Sequence, residues 1–147
     1  MTKEEKQILL KDLCPRLPYG YISCKWIVKS FNPDTFDEEL EINEARIAFI
    51  EPNTNSVHLC GKEIPVDIGE VKPYLRPMSS MTDEEKIELK TITKGVIQTV
   101  GLEDIVVTTD KGFDWLNKKG FDYRGLIPMG LALEAPKDMY KTESLWK

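Results

Sequence analysis

Apolar side chains recur along this chain with two different periods, and the points where the period changes mark its elements. Near the start, Leu9, Leu10 and Leu13 fall three and four residues apart, one stripe of a helix. Thr2 precedes it and Glu5 follows three residues later. That spacing predicts a capping box, in which hydroxyl and carboxylate each satisfy an orphan backbone N–H. Pro15 and Pro18 predict its end. From Tyr19 the period becomes two. Ile22, Cys24, Trp26 and Val28 form the strongly apolar face of a strand. Turn residues at Asn32-Pro33-Asp34-Thr35 and Pro52-Asn53-Thr54-Asn55 bracket a second strand over about Leu40–Ile50. Val57–Cys60 and Glu63–Val66 flank Gly61-Lys62, which predicts a two-residue type II′ hairpin. Pro65 cannot donate to a ladder, so its strand belongs at an edge or a bulge.

These segments make a short-stranded antiparallel meander. The expected architecture over about 19–78 is a small SH3-like barrel. Val71–Met78, with Pro73 and Pro77, is expected to leave it as an extended or single-turn link. Thr82 and Glu85 form a second capping box opening a helix over about Asp83–Thr93. A strand is expected near Ile105–Thr108. Thr109 or Asp110 then caps a helix running to Lys119. Gly120 is placed as its left-handed stop, with Leu116 and Phe121 as the apolar pair of a Schellman motif. Asp122 is expected to cap a shorter helix over Tyr123–Met129, interrupted by Pro128. The fold class is therefore α+β: an N-terminal helix, a barrel-like sheet and a mostly helical C-terminal part. We expect one domain over 1–136, with halves at 1–78 and 79–136, and a tail at 137–147 in which Tyr140, Leu145 and Trp146 are available to dock.

Composition narrows the function classes. The 147 residues carry 20 basic and 25 acidic side chains, a net charge of −5, which with no Lys/Arg block disfavours nucleic-acid backbones. No secretory leader is expected, because the first apolar run, Ile8-Leu9-Leu10, is too short for one, and no stretch is long and apolar enough for a membrane span. Three cysteines without a leader read as reduced thiols, so a cytoplasmic location is expected.

Lys72–Thr82, then Asp114-Trp115-Leu116-Asn117 with Phe121–Ile127 and Gly130–Ala135, and Leu13–Gly20 together resemble a family of small uncharacterised proteins from gut anaerobic bacteria and their prophages. The resemblance spans most of the chain. It implies a bacterial cytosolic protein, often carried on mobile elements, and it carries no activity and no catalytic residue.

The candidate chemistry is sparse. Gly125–Gly130 lacks the Gly-Lys-Ser/Thr ending of a phosphate-binding loop, and there is no Gly-x-Ser-x-Gly elbow. His58 and Cys60 share a strand face, but only Cys14 and Cys24 remain to complete a four-ligand zinc set. We expect a half-buried thiol beside a satisfied imidazole, with no metal and no cofactor. The acidic runs Asp37-Glu38-Glu39 and Asp83-Glu84-Glu85 read as a solvated turn and a helix start. Were they gathered around one hollow, they would instead suit a metal-dependent hydrolase. Two segments have interface chemistry. Tyr74 and Arg76 lie between Pro73 and Pro77 on a stiff stretch, and Tyr123 and Arg124 follow Asp122. We expect these four residues to contact a macromolecule. The leading expectation is a non-catalytic interaction module whose partner is another protein or a second copy; a nucleic-acid-binding accessory protein is the remaining alternative.

Overall fold

In the computed structural model, residues 1–92, 97–100, 104–107, 110–137 and 139–140 are described. Among the described residues the fold is mixed α+β, with three α-helices and a six-stranded, mostly antiparallel open sheet. Helix α1 spans Lys3–Leu13 and opens on the expected box: Thr2 N–H donates to Glu5 Oε1 at 2.9 Å, and Glu5 N–H to Thr2 Oγ1 at 3.1 Å. A 3-10 turn over Cys14–Tyr19 follows, set by Pro15 at its first turn.

The sheet strands are β1 (Ile22–Asn32), β2 (Asp37–Glu51), β3 (Ser56–Leu59), β4 (Val66–Asp67), β5 (Val71–Leu75) and β8 (Leu133–Glu134). Their order is β4-β3-β2-β1-β5-β8, antiparallel except between β5 and β8. Only residues 68–70 join β4 to β5, although three strands separate them in the sheet. Four spacings in a flat sheet would be roughly 19 Å, whereas four Cα steps reach at most about 14 Å. The sheet must therefore curl. It does not close, because β4 and β5 form no ladder, so the SH3-like barrel is not confirmed.

Three local expectations need correction. The link at Val71–Leu75 is a strand, hydrogen-bonded to both β1 and β8. Pro73 is tolerated because β8 pairs only with Tyr74 and Leu75, leaving β5 one neighbour at Pro73. The β3–β4 connection is not a two-residue hairpin: Val57 pairs with Val66, and Gly61 (φ +78°) serves a turn closed by Lys62 N–H to Leu59 C=O. Residues Tyr123–Met129 form turns rather than a helix, with Gly125 and Gly130 both at φ +78°.

Helix α2 (Asp83–Ile92) has the second capping box, and α3 (Asp110–Lys119) ends in the predicted Schellman motif. Phe121 N–H donates to Leu116 C=O and Gly120 N–H to Asn117 C=O, with Gly120 at φ +80°. Between these helices lies the hairpin β6 (Ile97–Val100) and β7 (Asp104–Val107). The strand expected near Ile105 is thus present, and the C-terminal part is less helical than expected. Thr93, Thr108, Thr109, Leu145 and Trp146 fall outside the described residues.

Two apolar clusters form. The larger packs Leu9, Leu10 and Leu13 of α1 onto Ile22, Cys24, Ile47, Val57, Val71 and Leu75 of the sheet, with Leu126 and Leu131 beside them. The smaller joins Met81 and Leu89 to Trp115, Leu116 and Phe121. Arg76 ties the two together through its backbone: its N–H donates to Gly120 C=O and its C=O accepts from Asp122 N–H, both at 2.7 Å.

Candidate functional site

The four residues singled out by type divide into two pairs. Tyr74 is 6% exposed, and its hydroxyl donates to Glu44 Oε1 at 2.8 Å. Burial and that carboxylate push its phenol up to about 12. Its backbone carbonyl accepts from the Tyr140 hydroxyl, so the expected docking of Tyr140 is seen. Arg76 forms a bidentate pair with Glu85, at 2.7 and 2.8 Å, and lies 4.1 Å from the Phe121 ring centroid. Both side chains join elements of the fold and present little to a partner.

Tyr123 and Arg124 sit at the rim of an open hollow of about 500 Å³ lined also by Pro15, Phe113, Asp114 and Asn117. Tyr123 donates to Asn117 Oδ1 at 2.8 Å and meets Phe113 edge-on. Beneath it lies a buried ion pair. Arg16 donates through Nε and Nη2 to the two oxygens of Asp12, both at 3.1 Å, and through Nη2 to Phe121 C=O at 2.7 Å. Arg124 Nε lies 3.5 Å from the same Asp12 carboxylate. Burial pushes the Asp12 carboxyl above its ordinary range, against the pull of Arg16. Asp122 accepts from Leu126 and Ile127 N–H at 2.8 and 2.9 Å, the expected capping role, although in a turn. The hollow thus has one carboxylate, one guanidinium, one amide and two rings, without a nucleophile paired to a base.

The acidic runs are kept apart. Asp83–Glu85 opens α2, where Glu85 is held by Arg76 and Thr82, while Asp37–Glu39 begins β2. His58 stacks on Phe49 and bonds Glu51 through Nε2 at 2.9 Å. Cys24 is fully buried, which pushes its thiol up to about 12. Among the described residues no three His, Cys, Asp or Glu side chains converge as a metal site, and no helix is long and apolar enough to cross a membrane.

A surface that residue type did not point to is the outer half of the β1–β2 hairpin. The two strands pair without a break from Ile22↔Ile47 to Asn32↔Asp37. β5 accompanies β1 only through Trp26, and β3 accompanies β2 only from Ile47. Beyond those points the hairpin is a two-stranded ribbon, and every residue from Pro33 to Ile42 is exposed. Alternation places Ile27, Phe31, Leu40 and Ile42 on one face, with Ile27 directly opposite Ile42, Lys29 opposite Leu40 and Glu38 opposite Phe31. Phe31, Leu40 and Ile42 are 62%, 61% and 57% exposed, so large apolar side chains stand in water on this face between Lys29 and Glu38. At the tip, Phe36 is 80% exposed with φ +57° and meets Phe31 at 6.2 Å. A left-handed backbone disfavours a bulky side chain, so the tip retains an aromatic ring where Asn or Gly would fit better. The sequence signal was the pair of phenylalanines flanking the Asn-Pro-Asp-Thr turn.

No family model, curated protein or solved structure matches this chain.

Proposed function

We propose that the protein is a non-catalytic, cytoplasmic protein-interaction module whose contact surface is the projecting β1–β2 ribbon. The observation that carries this reading is the group of apolar side chains Ile27, Phe31, Leu40 and Ile42 on one face of the ribbon, with exposed Phe36 at its tip. Two-stranded ribbons are marginal alone, and this one gains nothing from leaving large side chains in water. Covering each would contribute roughly 1.5–3 kcal/mol before association costs. Tyr123 and Arg124, at the hollow, remain a second contact in this reading. Tyr74 supports the ribbon through Glu44 of β2, and Arg76 holds α2 to β5 through Glu85. The curled strands β1–β5 fit an SH3-like barrel left unclosed, and the resemblance to prophage-borne proteins agrees with an accessory role. A hydrolase on the acidic runs lacks a supporting observation, since those runs lie on separate elements.

The test is site-specific photo-crosslinking in cells expressing the full chain. A benzophenone side chain at Phe36 is compared with one at Lys11, which is exposed on α1. The reading expects a discrete adduct from Phe36, with a second copy or another protein, that disappears in the Leu40→Ser/Ile42→Ser variant. Equal labelling from both positions, or none from Phe36, overturns it.

A further inference from the structure

Resting on the ribbon reading, we infer that the free edge of β2 accepts an extended protein segment, alternating basic and large apolar residues, as an added strand. Among the described residues, β2 from Asp37 to Ala45 has a neighbour on the β1 side only. That is an open ladder of nine residues, roughly 30 Å of unpaired backbone groups.

Exposed edges are ordinarily defended by lysines, prolines or bulges. This stretch, Asp-Glu-Glu-Leu-Glu-Ile-Asn-Glu-Ala, has no lysine and no proline, and its register is unbroken. Its only defence is negative charge, which selects by sign. Residues 28–42 hold one lysine and five carboxylates, a net −4 of the chain's −5. None of Asp34, Asp37, Glu38, Glu39 and Glu41 has a cationic partner among the described residues.

The two faces of the edge differ. Asp37, Glu39 and Glu41 point to one side; Leu40 and Ile42 point to the other, beside Phe31 and Ile27, with Glu38 and Glu44 at the two ends of that row. A strand with Lys or Arg at every second position sets its charges against the first row, while its apolar residues widen the second. A second copy presenting its own ribbon sets carboxylate against carboxylate, so the edge discriminates against self-pairing.

The experiment is fluorescence anisotropy on the full chain with a labelled ten-residue peptide of alternating Lys and Val. The comparisons are an alternating Glu/Val peptide and a block peptide of five Lys followed by five Val. The expected result is binding of the alternating Lys/Val peptide alone. It weakens at least about tenfold between low salt and about 0.5 M salt and is lost in Glu39→Lys/Glu41→Lys. Amide hydrogen exchange is expected to slow across Asp37–Asn43 when this peptide binds, a readout that needs no variant. Block and alternating peptides binding equally, indifference to Glu39→Lys/Glu41→Lys, or unchanged exchange at the edge each overturn strand addition. If Phe36 gives its crosslink while the alternating peptide does not bind, the ribbon reading stands and the strand-addition proposal falls. If both fail, both fall.

Discussion

Replacing Arg16 with Met removes the cation from the most enclosed ion pair described. The side chains of Arg16 and Asp12 are 3% and 0% exposed. The substitution deletes two hydrogen bonds to the carboxylate and one to Phe121 C=O, leaving Asp12 with only Arg124 Nε at 3.5 Å. A buried charge stripped of its partner costs about 3–5 kcal/mol, and the orphaned carbonyl adds about 1. Because well-packed apolar residues replace a buried pair at little cost, Asp12→Leu/Arg16→Met is expected to recover most of that loss. The deficit also depends on pH. Burial already raises the Asp12 carboxyl above its ordinary 3.8, and without Arg16 nothing comparable pulls it down. A carboxyl whose folded value lies above its unfolded one destabilises the fold as pH rises and relieves it as pH falls. The single variant therefore regains stability as pH falls from neutral toward the ordinary carboxyl value of 3.8, where the carboxyl is protonated. Urea unfolding followed by tryptophan emission at both pH values measures this. A loss below about 1 kcal/mol at neutral pH, or a double variant as unstable as the single one, refutes the account.

Gly120→Ala places a Cβ against the Tyr140 ring at φ +80°, and a loss of at least about 1 kcal/mol is expected. Adding Tyr140→Ala should relieve the steric part, which a double-mutant cycle by thermal unfolding would reveal. Arg76 and the Thr82 cap hold the Glu85 carboxyl at about 2, below its ordinary 4.5. Its stabilisation is present above about pH 4.5 and lost as pH falls toward 2, so Glu85→Gln should flatten acid unfolding across that window. The Cys24 thiol, raised by burial, should resist a disulfide reagent until the chain unfolds, while half-buried Cys60 reacts first; simultaneous labelling of both in the native state would contradict this.

Features written in neighbouring residues could be read directly. Both capping boxes and the Gly120 stop need only four to six residues, and each formed where its spacing placed it. Features that depend on distant partners could not. Pro73 and Pro77 pointed to an extended or single-turn link over Val71–Met78, but that Val71–Leu75 is a strand depends on its distant partners β1 and β8. Tyr74 and Arg76 have the composition of a contact surface, but Glu44 and Glu85 engage them from other elements. The i,i+4 spacing of Asp12 and Arg16 is visible in the sequence, whereas their burial beneath residues 121–124 is not. For the ribbon, alternation identifies two strands without revealing that β5 and β3 stop short of its outer half.

The bond from Arg16 to Phe121 C=O spans 105 positions of the chain. During synthesis α1 leaves the ribosome first, and the acceptor follows only after 105 further positions have been made. Until then the guanidinium retains its water, and α1 cannot seat its full polar contact set against the sheet. Completion of the N-terminal packing is thus timed by the arrival of the C-terminal third, and a nascent chain halted before Phe121 should remain open to proteases that the finished protein resists.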